Sequence, residues 1–145
     1  MFAVLHSSPV SVRRNREVAG STPAEGIKMI YMGIKIIKKN EGITRKISET
    51  YKVTSLLTKD LSDNVSLSVG NAANHSETTK NIRSDRIYYI LEGKLILEGD
   101  NKKFVAEKGD VIFIPHNTEY YFQGSFKAVL VCSPAFSSKD EQMRL

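Results

Sequence analysis

Residues 84–99 read SDRIYYILEGKLILEG, and after four polar residues 104–122 continue FVAEKGDVIFIPHNTEYYF. Residues 86–91 are β-branched and aromatic and end at Glu92-Gly93. Residues 94–97 resume the run, and residues 111–114 form a third, closed by Pro115-His116-Asn117-Thr118. Glycine or proline punctuates each run, so the stretch predicts short strands joined by tight turns. No useful length of it has helical spacing.

Working outward, residues 65–69 (VSLSV) alternate strictly, which places Val65, Leu67 and Val69 toward a core and the serines toward solvent. Residues 51–57 and 34–37 are further strand-like runs, and 126–132 supply a last apolar strand. Runs of this kind, recurring between polar turns, indicate an all-β sandwich or barrel. Residues 71–84 (NAANHSETTKNIRS) read as a long irregular loop, where binding groups tend to sit. Residues 1–28 have no sustained period and predict a disordered arm. It is either a serine- and arginine-rich leader or a non-native extension before a start at Met29 or Met32, and the second reading is preferred. The domain is therefore set at 29–136, with 137–145 as a turn or loose polar tail.

The chain has 145 residues, 41% hydrophobic and 26% charged, which is room for one globular domain. No apolar run approaches the roughly 20 residues of a membrane span. The net charge of +5 does not imply nucleic acid. Residues 1–28 hold four cations against two acids and the rest 17 against 14, interleaved, so no basic stripe forms. No helix-turn-helix pattern is visible. Cys132 is the single cysteine, inside an apolar run, so it reads as a small buried hydrophobe in a reducing, cytoplasmic setting.

At 87–93 (IYYILEG) and 109–115 (GDVIFIP) the sequence resembles the cupins, small double-stranded β-helix (jelly-roll) barrels. The resemblance covers roughly 65–132 and implies an all-β cupin barrel. The family's first motif carries two histidines and a glutamate ahead of a glycine, and its second a histidine after proline and glycine. Together they hold a metal ion. Counting from Gly93, the glutamate position holds Arg86, and the histidine positions fall on Lys80 and Ile82 or, with shorter spacing, on Thr79 and Asn81. In the second motif Asn117 stands at the turn glycine, Tyr120 at the histidine and Gly124 at the asparagine. A guanidinium has no lone pair to give a cation and would repel it, so the resemblance implies a barrel with neither metal nor other cofactor. His75 and His116 are too few to rebuild a metal site and read as surface residues.

Alternation places Arg86, Tyr88 and Ile90 on one strand face and Ile87, Tyr89 and Leu91 on the other. If the family's inward positions keep their direction, Arg86, Tyr88 and Tyr120 converge on the lumen with Phe122 below them, and His75 lies near the mouth. Such a pocket suits a small anionic or carbohydrate-like ligand. Equally open is a barrel filled by its own side chains, with Arg86 paired internally, to Glu119 for example. The favoured function is a metal-free, homodimeric binding protein with no catalytic residue assigned. The alternative is a metal-independent sugar or sugar-nucleotide isomerase or epimerase, with Tyr120 or Tyr88 as acid and His75 as base.

Overall fold

The computed structural model describes residues 33–144; the expectations for residues 1–28 lie outside them. Eight strands follow in order: β1 (Ile43–Ser48), β2 (Tyr51–Leu57), β3 (Ser66–Asn81), β4 (Asp85–Gly99), β5 (Lys102–Glu107), β6 (Val111–Ile114), β7 (Tyr120–Ser133) and β8 (Glu141–Arg144). All pair antiparallel in one sheet along β1-β2-β3-β7-β4-β5, with β6 beside β4 and β8 beside β3. The all-β expectation holds. The long strands β3, β7 and β4 form the middle. β2 and β8 share the free edge of β3, while β6 and β5 share that of β4. The β4–β5 hairpin turns at Asp100-Asn101, both with positive φ, as a two-residue turn requires.

Several segments differ from the sequence expectation. Residues 34–37 form no strand, and Ile34 and Ile36 are exposed. The presumed loop 71–84 is mostly the continuation of β3, whose side chains are polar on both faces and so leave no hydrophobic alternation to read. Glu92-Gly93 is not a turn but an irregularity inside the single strand β4, where the register against β7 slips between Ile90 and Glu92. Gly93 has φ 79°, and a Cβ there would stand 2.2 Å from the Ser125 carbonyl oxygen, so only glycine fits. Residues 138–144, expected as a turn or loose tail, form a 3-10 turn and β8. Asn117 has φ 63°, the left-handed conformation expected where the family has glycine.

The serines of 65–69 also face opposite to expectation. Ser66 is buried and Ser68 borders the lumen, while Val65, Leu67 and Val69 are only half-buried. The reason lies further along β3. Its register against β7 shifts between Ala72 and His75, with Asn74 at φ 49°. That bulge exchanges the inward set from 66, 68, 70 to 75, 77, 79, 81, all of them buried. Inside the sheet, Ile90 and Leu95 are completely buried among Val53, Tyr88, Leu97, Phe122, Phe126 and Ala128. Burial of each aliphatic side chain contributes about 1.5–3 kcal/mol. At the centre, the Phe122 ring stands 5.6–6.2 Å from those of Tyr51, His75, Tyr88, Tyr120 and Phe126.

Candidate functional site

Strand alternation aims side chains of β2, β3, β4 and β7 at one cavity of about 230 Å³. Tyr51, Glu77, Arg86, Tyr88 and Phe122 line it, with Glu141 from β8 and the exposed Arg45 of β1 also on its wall. Apolar surface, from rings and aliphatic side chains together, forms most of that wall. A few polar groups converge on it, the usual constitution of a small-molecule site. Its volume lies below the roughly 300–1,000 Å³ typical of drug-sized pockets, which leaves room for a molecule of monosaccharide size.

At one end Arg86 is 4% exposed and its guanidinium grips the Glu141 carboxylate. Nη2 donates to Oε1 at 2.6 Å and Nη1 to Oε2 at 3.1 Å. Asn81 Nδ2 donates to Oε1 at 3.0 Å, and the Thr79 hydroxyl donates to Oε2. Asn81 is itself fixed, because its Oδ1 accepts the backbone N–H of Arg83 and of Ser84. Burial pushes the Glu141 carboxyl up. The hydrogen bonds and charge of Arg86, aided by Thr79 and Asn81, outweigh that and hold it below the usual carboxylate range. Arg86 Nη1 also donates to the Tyr120 hydroxyl at 2.9 Å, which lies 2.7 Å from the Tyr88 hydroxyl. Burial raises both phenols, so both hydroxyls keep their protons.

At the other end the β3 bulge places His75 and Glu77 side by side on the inner face. His75 Nε2 lies 2.6 Å from Glu77 Oε1, and both side chains are buried. His75 Nδ1 lies 2.8 Å from the Thr50 hydroxyl, and the Tyr51 ring stacks on the imidazole at 4.7 Å. His75 therefore has a partner at each ring nitrogen, Thr50 at Nδ1 and Glu77 at Nε2. Burial raises the Glu77 carboxyl above its usual value, against the pull of the His75 hydrogen bond. A carboxyl raised in this way is better suited than an ordinary carboxylate to take up and release a proton.

Arg86, Tyr88, Tyr120 and Phe122 therefore come together. Tyr120 stands behind the wall, its hydroxyl holding Arg86 and Tyr88 in position, while the other three border the cavity. His75 is not in a mouth loop and not a surface residue. It is 2% exposed, and both its nitrogens are turned to protein partners. His116 does lie at the surface, paired with Asp85. Arg86 is paired internally, but with Glu141 rather than Glu119, which faces Arg144. Sequence reasoning missed Glu77, Tyr51 and Glu141. For Glu77 the signal was present, since His75-Ser76-Glu77 puts both groups on one face once 71–81 is read as a strand. For Glu141 there was none, because the pair spans 55 residues.

The shorter motif spacing is the correct one. Thr79 and Asn81 point inward, whereas Ile82 is exposed and Lys80 is not among the fully buried residues. The positions of the metal cage are thus Thr79, Asn81, Arg86 and Tyr120. They do not fit a metal ion, because three of them direct hydrogen-bond donors at a carboxylate and one is a permanent cation. Among the described residues no three His, Cys, Asp or Glu side chains are grouped to hold one. Nor is any helix among them long and apolar enough to cross a membrane.

The family model for the ethanolamine utilisation protein EutQ matches residues 9–137. An uncharacterized protein of Methanocaldococcus jannaschii is 38% identical over 68 residues, 44% of this chain and 54% of that protein. The chain thus spans about half the length of the curated relative it matches. Among solved structures, Streptomyces Pac13 with uridine superposes with a TM-score of 0.68 at 23% identity, covering 78% of this chain and 92% of the other. Pac13 is a nucleoside dehydratase. A putative ethanolamine utilization protein Q of Salmonella typhimurium superposes at 0.61 with 24% identity, covering 72% and 89%. Ectoine synthase of P. lautus superposes at 0.65 with 14% identity, covering 77% and 91%. At such identities these likenesses establish the cupin fold and nothing of activity.

Proposed function

The chain belongs to the EutQ family of ethanolamine-utilisation proteins, and on its cupin barrel we propose that the lumen is a metal-free site for a small polyhydroxylated ligand of sugar or nucleoside type. The observation that carries this reading is the open cavity itself. A barrel filled by its own side chains would leave no such space beside Glu77, Tyr88 and the Ser66–Ser68 edge. The rings offer apolar faces to stack on a sugar, and Glu77, the serines and the Tyr88 hydroxyl offer hydrogen bonds to its hydroxyls. Arg86, already neutralised by Glu141, leaves this part of the lumen suited to a neutral ligand.

Thermal-shift and calorimetric titration with monosaccharides and nucleosides, uridine included, tests the proposal on metal-stripped protein. Saturable binding that weakens about tenfold in Glu77→Gln or Tyr88→Phe is expected. Binding that appears only after a transition metal is added would overturn it. A second reading, proton-transfer chemistry of the isomerase or epimerase kind, is favoured by the raised Glu77 carboxyl backed by His75. In it Glu77 takes the base role first expected of His75, which does not border the cavity, and Tyr88 is the acid. Deuterium uptake from D2O into a bound sugar, lost in Glu77→Gln, is its signature. The homodimer belongs to the same reading. Phe113, Ile87, Val131 and Leu67 run side by side across the outer sheet face, with Phe113 60% exposed. Light scattering on wild type and Phe113→Lys checks it.

A further inference from the structure

In the cupin resemblance, the cage positions present acceptors to a cation. Here the same positions present donors to an anion. Thr79, Asn81 and Arg86 direct four hydrogen bonds at a single carboxylate, and a guanidinium gripping both oxygens is the usual protein geometry for carboxylate recognition. We propose that Thr79, Asn81 and Arg86 form a carboxylate-binding subsite of the lumen, with Glu141 as its resident occupant and a ligand carboxylate able to take its place when β8 lifts away.

Three independent observations support exchange rather than a permanent plug. Arg86, nine-tenths buried and on the cavity wall, keeps its Nε–H without a hydrogen-bond partner among the described residues, so Glu141 does not exhaust the donors there. β8 is a four-residue edge strand that pairs with β3 alone, and its residues 142–144 are exposed. Edge segments with few buried contacts open most cheaply. Arg45 stands on the same cavity wall, stacked over Phe136 at 5.9 Å and in no ion pair among the described residues, where it would draw an anion inward. The family match ends at residue 137, so β8 lies outside the matched segment. With Glu141 withdrawn, the lumen carries two guanidiniums against Glu77, and an anion must compensate them.

The inference rests on the lumen being a small-molecule site and extends it to ligands that carry a carboxylate beside their hydroxyls. The test uses propionate, which matches the glutamate side chain from Cβ to the carboxylate, on Glu141→Ala. The full-chain variant is titrated and followed by melting temperature and calorimetry. Saturable stabilisation is expected, weakened about tenfold by adding Thr79→Val, which deletes one hydrogen bond. In wild type, propionate should bind more weakly than in the variant and should lower the amide-exchange protection of residues 141–144 as it saturates. If Glu141→Ala does not fold, Gln142→Pro in the full chain breaks the β8 pairing and serves in its place. A folded variant with no saturable response overturns the subsite. Wild type whose β8 amides stay protected at saturating propionate overturns the exchange. A neutral nucleoside titrated in parallel separates the two proposals, because the anion subsite stands or falls whether or not uridine binds.

Discussion

Two carboxylates, Glu77 buried and Glu141 partly so, face the same lumen and are held in opposite ways. Glu141 reaches it from the end of the described chain and is gripped by a guanidinium, so its charged form is favoured. Glu77 sits on a central strand beside an imidazole, and burial favours its neutral form. A carboxylate whose charge is favoured serves its partner as an anion, whereas one pushed toward its neutral form is suited to exchanging protons. The Arg86 end is thus built to hold a carboxylate, and the His75 end is the one suited to the proton transfer proposed above.

The sharpest way to break it is Arg86→Met, which leaves Glu141 buried without its cation. Removal of one member of a buried pair costs about 3–5 kcal/mol, read from urea unfolding. The double change Arg86→Met with Glu141→Met should recover most of that loss, and failure to recover would mean that the arginine acts through packing alone. Next is Asn74→Val at the bulge that turns His75 and Glu77 inward. A β-branched residue at φ 49° is expected to cost roughly 1–3 kcal/mol. Asn74→Gly should cost a few tenths at most.

The pH dependence of two isosteric variants sharpens the contrast. Glu141 has a lowered folded value, so its contribution is present above the ordinary value of 4.5 and is lost as pH falls below it. The stability gap between wild type and Glu141→Gln should therefore shrink on acidification. Glu77 has a raised folded value, so its contribution is complete below 4.5 and is lost as pH rises through the folded value. The gap for Glu77→Gln should shrink in the opposite direction, remaining below about 1 kcal/mol at neutral pH because an amide replaces an already disfavoured charge. Equal slopes for the two would erase the distinction.

The cupin barrel was legible in the sequence because its evidence is local. The alternation of 86–90 and the run 111–114 each report on a few neighbouring residues, and strands formed where those signals lie, although the glycine at 93 marked a bulge inside β4 rather than a turn. The inward set Arg86, Tyr88, Tyr120 and Phe122 followed from period two once the cupin resemblance supplied which face points inward. The same rule misassigned 65–69, because a bulge between Ala72 and His75 exchanges the faces of β3 and nothing within VSLSV records it.

What the amino-acid order determined was the scaffold and the guanidinium at the family's glutamate position, a group with no lone pair to give a cation. What only the tertiary structure decided was the fate of that guanidinium. Glu141 lies 55 residues away in a polar segment without periodicity, and it becomes the partner of Arg86 because β8 has the edge of β3 beyond the end of β2 to pair with. Local pattern separates the two faces of a strand, but the identity of a buried charge's partner depends on which distant strand completes the sheet.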